Sequence, residues 1–146
     1  MNSLEDDILA IEYIVEEIRS ISRGISIYIF IDNGIKITTI NKFRQKQANA
    51  FAFSNTTIKK ICSIIDQQER NTSMLKGFNE VIDDFIKKRI MIYDLQTLRE
   101  LGLTYKTLVK IKKNRAEDTY HLFTLIKYAE TIERWRCNSD KRLVKT

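Results

Sequence analysis

The sequence predicts a mainly α protein (α+β in detail): a helical bundle of six to seven helices with one N-terminal β-hairpin. Three observations carry that expectation. Proline is absent and glycine occurs only four times in 146 residues, so the common helix breakers are nearly missing. Apolar residues recur at helical spacing through most of the chain. One segment instead alternates β-branched and aromatic residues around an Asn-Gly pair, the strongest short hairpin signal.

Ser3-Leu4-Glu5-Asp6 reads as a capped helix start, a hydroxyl with an acid three residues on. Behind it Leu4, Ile8, Ile11, Ile14/Val15, Ile18 and Ile21 form an apolar stripe, and Gly24 ends the helix. Ile25–Ile31, Asp32-Asn33-Gly34 and Ile35–Ile40 then predict the hairpin. Its first strand is apolar on both faces and therefore calls for cover on both, by helices or by a second copy of the chain. From Asn41 onward the pattern is helical: Asn41 to Phe51, Asn55 to Glu69, Met74 to Met91, Asp94 to Leu101, Tyr105 to Lys113 and Arg115 to Trp135. Asn114 with Glu117 reads as a cap for the last of these, and Arg136–Thr146 as a frayed basic tail. The polar break Asn71-Thr72-Ser73 suggests a division into residues 1–70, with the hairpin and a possible dimerisation surface, and residues 71–146.

Composition narrows the function. With 43% hydrophobic and 30% charged residues the chain can bury a core, which excludes wholesale disorder. The longest apolar-dominated run, Ile25–Ile31, falls far short of the roughly 20 residues that span a bilayer. An acidic N-terminus gives no secretory signal, and two distant cysteines, Cys62 and Cys137, suggest free thiols in a cytosolic compartment. The net charge of +6 is uneven. Residues 1–24 carry six acids against two bases, whereas residues 106–146 carry eleven bases against five acids. A basic C-terminal half suits a polyanionic partner, most often nucleic acid.

The segment Asp94–Ile111 carries the most information. Leu98 and Leu101 can pack from a first helix, Gly102 can make a turn, Leu103 can plug the corner, and Thr104 can cap a second helix whose Leu108 and Ile111 face inward. This resembles the helix-turn-helix regulators of phage and plasmid type over about 20 residues, and implies a second helix that enters the major groove of double-stranded DNA. A similar pattern lies fifty residues earlier, Arg44–Ile61, with Ala48 at the small position, Ser54 as cap, and Ile58 and Ile61 inward.

The resemblance implies outward-facing contact residues on each second helix. In the later copy these are Thr104, Tyr105, Lys106, Val109, Lys110 and Lys113: lysines for phosphates, Val109 for a thymine methyl, Tyr105 for phosphate or stacking. In the earlier copy they are Asn55, Thr56, Lys59 and Lys60, with Asn55 the natural adenine reader. The expected protein is a non-enzymatic, sequence-specific transcriptional regulator from a phage, plasmid or virus, acting as a homodimer without cofactor or metal. The rival reading is a helical protein-interaction module whose basic face docks an acidic partner. His121 is the single histidine, which excludes His-rich metal sites, and no phosphate-cradling glycine loop is present. Arg115 and His121, read on one helix, resemble the Arg-x4–6-His pattern of HEPN-type ribonucleases, a minor alternative; otherwise His121 reads as a partly buried helix residue.

Overall fold

Ser3 opens the first helix as its sequence predicts: its side chain accepts from the Asp6 N–H while Asp6 accepts from the Ser3 N–H, a complete capping box. A computed structural model describes residues 3–46 and 48–144, with side chains to Ser139. Among the described residues there are eight helices and no strand. They are α1 (Leu4–Arg23), α2 (Ile27–Asp32), α3 (Ile37–Arg44), α4 (Asn55–Gln68), α5 (Met74–Arg89), α6 (Leu95–Glu100), α7 (Tyr105–Lys113) and α8 (Leu122–Val144). Among the described residues no helix is long and apolar enough to cross a membrane.

The predicted β-hairpin is a helical corner. Asn33-Gly34 closes α2 instead of joining two strands: the Ile35 N–H donates to the Phe30 carbonyl (3.1 Å) and the Gly34 N–H to the Ile31 carbonyl (3.0 Å). That pair of bonds, with Gly34 at φ +93°, is the Schellman ending of a helix. Asn-Gly suits it for the same reason it suits a hairpin turn, because both need a residue at positive φ. Burial decides between them. The helical register puts Phe30, Ile35, Ile40 and Phe43 into the core together, and tertiary packing of this kind overrides the β preference of isoleucine. The two-faced strand that called for a partner copy is therefore absent, and its argument for a homodimer goes with it.

Three further expectations change. The helix read over Asn41–Phe51 stops at Arg44, so the proposed earlier helix pair at Arg44–Ile61 has no first helix. Asn114 does not cap a helix start. It ends α7 in the left-handed conformation (φ 42°, ψ 45°), and α8 begins only at Leu122. Finally, α8 carries the basic C-terminal segment as helix through Val144.

All eight helices contribute a side chain with 0% exposure to one continuous core: Ile11, Phe30, Ile40, Ile58, Phe78, Leu98, Leu108 and Leu125 in chain order. The order of these helices repeats. A shift of 68 residues carries α2 onto α6 and α3 onto α7, and superposes their buried positions: Phe30 on Leu98, Ile35 on Leu103, Ile40 on Leu108, Phe43 on Ile111. A shift of 67 carries Ile11, Val15 and Ile18 of α1 onto Phe78, Ile82 and Phe85 of α5. The same shift carries Ile58, Cys62 and Ile65 of α4 onto Leu125, Ala129 and Ile132 of α8. The chain is thus two copies of one four-helix plan, α1–α4 and α5–α8.

The copies meet as equivalents. α1 packs along α5. Ser54 pairs with His121 in an antiparallel bridge, and these two residues are themselves 67 apart. The flanking bonds exchange under the same shift: the Asn55 N–H donates to the Tyr120 carbonyl (2.9 Å) and the Leu122 N–H to the Phe53 carbonyl (3.1 Å). Like surfaces meeting like surfaces is the signature of an isologous, two-fold contact, here made within one chain.

Candidate nucleic-acid interface

The corner between α6 and α7 forms where the sequence places it. Asp94 caps α6, accepting from the Thr97 N–H at 2.7 Å, and this bond holds its carboxyl below the usual carboxylate range. Gly102 (φ +87°) makes the turn: its N–H donates to Arg99 (2.9 Å), and the Leu103 N–H donates to Leu98 (3.4 Å). Leu98 and Leu103, on either side of the turn, are both buried in the core, which fixes the angle at which α7 leaves.

Burial of Leu108 and Ile111 orients α7. At 3.6 residues per turn the opposite side carries Lys106 and Lys113 at its centre, flanked by Lys110, Val109 and Tyr105. Lys106 and Lys113 are exposed, Tyr105 is half exposed, and Val109 and Lys110 are half-buried. Thr104 is exposed at the N-cap position, where its backbone N–H donates to the Tyr128 hydroxyl and its side chain makes no cap bond. Arg99 of α6 lies over the Tyr105 ring at 5.1 Å, adding a cation at the start of α7 that the sequence reading missed. Residues 101–116 contain no acid.

The residues assigned to the earlier copy fare differently. Ser54 does cap α4, accepting from the Thr57 N–H at 3.2 Å, and Ile58 and Ile61 are buried. Asn55, however, does not face outward. It is fully buried, donating to the Asp118 carbonyl (2.9 Å) and accepting from the Tyr120 N–H (2.9 Å). As the first residue of a helix at the contact between the two halves it is a structural clamp and unable to reach a base. Thr56 is half-buried, with its hydroxyl among those of Ser54 and Thr119. Lys59 is half-buried against Asn114 (3.5 Å); burial lowers its affinity for a proton, and Asp83 and Asp118 work against that. Lys60 stays exposed, its ammonium 3.3 Å from the Gly34 carbonyl.

Lys59 and Lys60 therefore touch different elements, Lys59 the C-terminal end of α7 and Lys60 the turn before α3. α4 runs between the two. Asn114, the last cap of α7, is a hub here: it donates to Asp83 (2.7 Å) and accepts from the Tyr120 hydroxyl (2.7 Å). The corresponding end of α3 is closed by arginines of α1. Arg19 donates to the Phe43 carbonyl (2.6 Å) and Arg23 to that of Arg44 (2.8 Å).

The α2–α3 corner is the element that the sequence reading missed. The signal was present: Phe30, Ile35, Ile40 and Phe43 stand at the same distances from Gly34 as Leu98, Leu103, Leu108 and Ile111 from Gly102. The face of α3 opposite its buried residues carries Thr38, Asn41 and Lys42, continued by Gln45 just past the helix end, all exposed, flanked by Ile37 at 54% exposure. Residues 33–65 contain no acid.

The ribonuclease arrangement is not formed. Arg115 and His121 share no helix, the Arg115 guanidinium is bound to the Asp118 carboxylate (2.9 and 3.2 Å), and His121 is exposed in the bridge to Ser54. Cys62 is buried, which pushes its thiol pKa up, and Cys137 is exposed. No group of three metal-ligating side chains occurs among the described residues. No family model, curated protein or solved structure matches the chain.

Proposed function

We propose that the protein is a non-enzymatic, sequence-specific DNA-binding regulator that presents α7 to the major groove of a duplex. The observation that carries the reading is the α6–Gly102–α7 corner. It holds a nine-residue helix against the core by Leu108 and Ile111 and turns Lys106, Lys110 and Lys113 to the other side, in a stretch free of acids. Such a helix supplies what the major groove requires: a rigid rod, cations for the phosphates on either side, and a few short side chains at base edges. Affinity comes mainly from phosphate neutralisation through Lys106, Lys110 and Lys113, with Val109 against a thymine methyl and Tyr105 and Thr104 at the backbone. The free thiols of Cys62 and Cys137 suit a reducing, cytosolic setting.

The test is a salt titration of binding to random-sequence and selected duplexes by fluorescence anisotropy. Contacts to several phosphates give a log–log slope steeper than about −3, together with tighter binding to the selected sequence. Weak binding that is indifferent to sequence defeats the reading and favours a protein-docking role for the same basic face.

A further inference from the structure

We infer that a single chain covers two adjacent half-sites on the duplex, with α3 as a second reading helix equivalent to α7 and with the labour divided: α3 reads bases and α7 holds phosphates. The inference rests on the DNA-binding reading above and adds to it a second surface, a stoichiometry and a form of target.

Three observations lead here. The two corners share one construction, down to the pair of backbone bonds at Gly34 and Gly102 and the four buried positions around each. The two halves meet through equivalent elements, α1 on α5 and Ser54 on His121, as the subunits of a symmetric dimer do. Helix-turn-helix dimers use that symmetry to set two reading helices on successive turns of the duplex. Here the duplicated chain carries both, and adjacent lysines of α4 reach one element of each pair: Lys60 the turn before α3, and Lys59 the C-terminal end of α7.

The outward faces differ in chemistry at matched positions. Where α7 has Lys106, Val109, Lys110 and Lys113, α3 has Thr38, Asn41 and Lys42, with Gln45 as the residue that ends it. Asn and Gln can bond adenine through two atoms at once, and Thr can bond a base edge or touch a thymine methyl. Three lysines on α7 are point charges suited to phosphate, and only Lys42 and Lys110 match in kind. The preferred target is therefore a pair of unlike half-sites, the one under α3 defined in sequence and the one under α7 tolerant of it.

The experiment selects binders from random duplexes of about 30 base pairs, room for two half-sites one helical turn apart. It then measures stoichiometry, footprint, salt slope and discrimination for the full-length chain and its variants. One chain per duplex is expected, protecting both half-sites. The double change Asn41→Ala with Gln45→Ala lowers the preference for the selected over a scrambled duplex by about tenfold or more while shifting the salt slope by less than about one. Lys106→Ala with Lys110→Ala reduces the slope by about two and leaves the preference in place. Asn41, Lys106 and Lys110 lie on the outer faces of their helices and Gln45 is the exposed residue that ends α3, and circular dichroism checks that each variant is folded. If binding needs two chains per duplex, or if the α3 variant behaves as wild type while the α7 variant loses affinity, this inference fails and the reading of α7 stands. If the wild-type chain binds no duplex, both fall together.

Discussion

The turn at Gly34 and the turn at Gly102 close with the same two backbone hydrogen bonds, yet the helices around them are secured by different means. α6 is capped by Asp94, whereas the matching Ser26 before α2 makes no side-chain bond. The last carbonyls of α3 are taken by Arg19 and Arg23 from α1, while α7 ends on a left-handed Asn114 tied to Asp83 and Tyr120. The pair teaches which parts of the plan are obligatory. A positive-φ glycine, an apolar residue four before it and others at one, six and nine after it recur in both copies. Caps and helix ends are exchangeable, because any donor or acceptor of suitable reach satisfies the free backbone groups.

The largest effect separates shared core from local corner. Phe30→Ala and Leu98→Ala each remove a side chain with 0% exposure from equivalent places. Losses of about 3–5 kcal/mol for the phenylalanine and about 2–5 for the leucine are expected in urea denaturation. With one core spanning both copies, each variant shows a single transition at lower denaturant. A variant that unfolds in two steps, one half surviving the other, would break the equivalence of the copies as parts of one cooperative unit.

The contact between the halves is asymmetric at one matched position, Asn55 against Leu122. Asn55 makes two side-chain bonds to the backbone of the 118–120 segment, and the apolar side chain of Leu122 makes none in return. Asn55→Leu leaves the Asp118 carbonyl and the Tyr120 N–H without those partners, about 1–3 kcal/mol for each group orphaned. Hydrogen exchange at Tyr120 should accelerate in the variant; unchanged protection there would show that the side-chain bonds of Asn55 add nothing to the backbone bridge at this contact.

Glycine at the turns sharpens the comparison at smaller scale. Alanine at either position is strained by about 1–2 kcal/mol, the ordinary penalty of left-handed backbone for a residue with a Cβ. At Gly102 the added Cβ meets nothing within 4 Å, whereas at Gly34 it lies 2.9 Å from the Lys60 ammonium, which must swing away. Both changes therefore destabilise by similar amounts, and Gly34→Ala alone also releases Lys60 from the α3 corner. Thermal denaturation reads the first effect, and the second appears as a change at Lys60 in side-chain NMR. A Gly102→Ala variant of unchanged stability would remove the conformational argument for that turn.

The two corners also differed in how readily sequence disclosed them. Around Gly102 the flanks are Leu98, Arg99, Leu101 and Leu103, which have weak strand preference, so period and turn pointed the same way. Around Gly34 the flanks are isoleucine, tyrosine and phenylalanine, residues that favour strands, and Ile25–Ile31 alternates at period two as well as presenting Ile27 and Phe30 to one helical side. Local preference and burial disagreed there, and only the assembled core resolves the conflict. Asn55 illustrates the reverse limit. Its position at a helix start suggested an outward face, but the bonds that bury it come from residues more than sixty positions away. Ser54, Ile58 and Ile61 were readable because capping and helical period are local.

Acid distinguishes the corners without any mutation. Asp94 has its carboxyl lowered by the Thr97 N–H it accepts from, and Asp118 is lowered by Arg115; both belong to the second copy. A group whose folded value is depressed contributes stability above the ordinary carboxylate range and loses it as pH falls through the lowered value. The matching cap on α2 is Ser26, which does not titrate, and the depressed groups named above have no carboxylate counterpart at the α2–α3 turn. Hydrogen exchange at the Gly102 amide should therefore accelerate, relative to that at Gly34, as pH drops below the carboxylate range, after correction for intrinsic rates. Asp94→Asn keeps an acceptor for the cap and should flatten the part of this difference that Asp94 supplies. If protection at Gly34 falls in step with Gly102, acid loosens the whole core and the caps play no separate part.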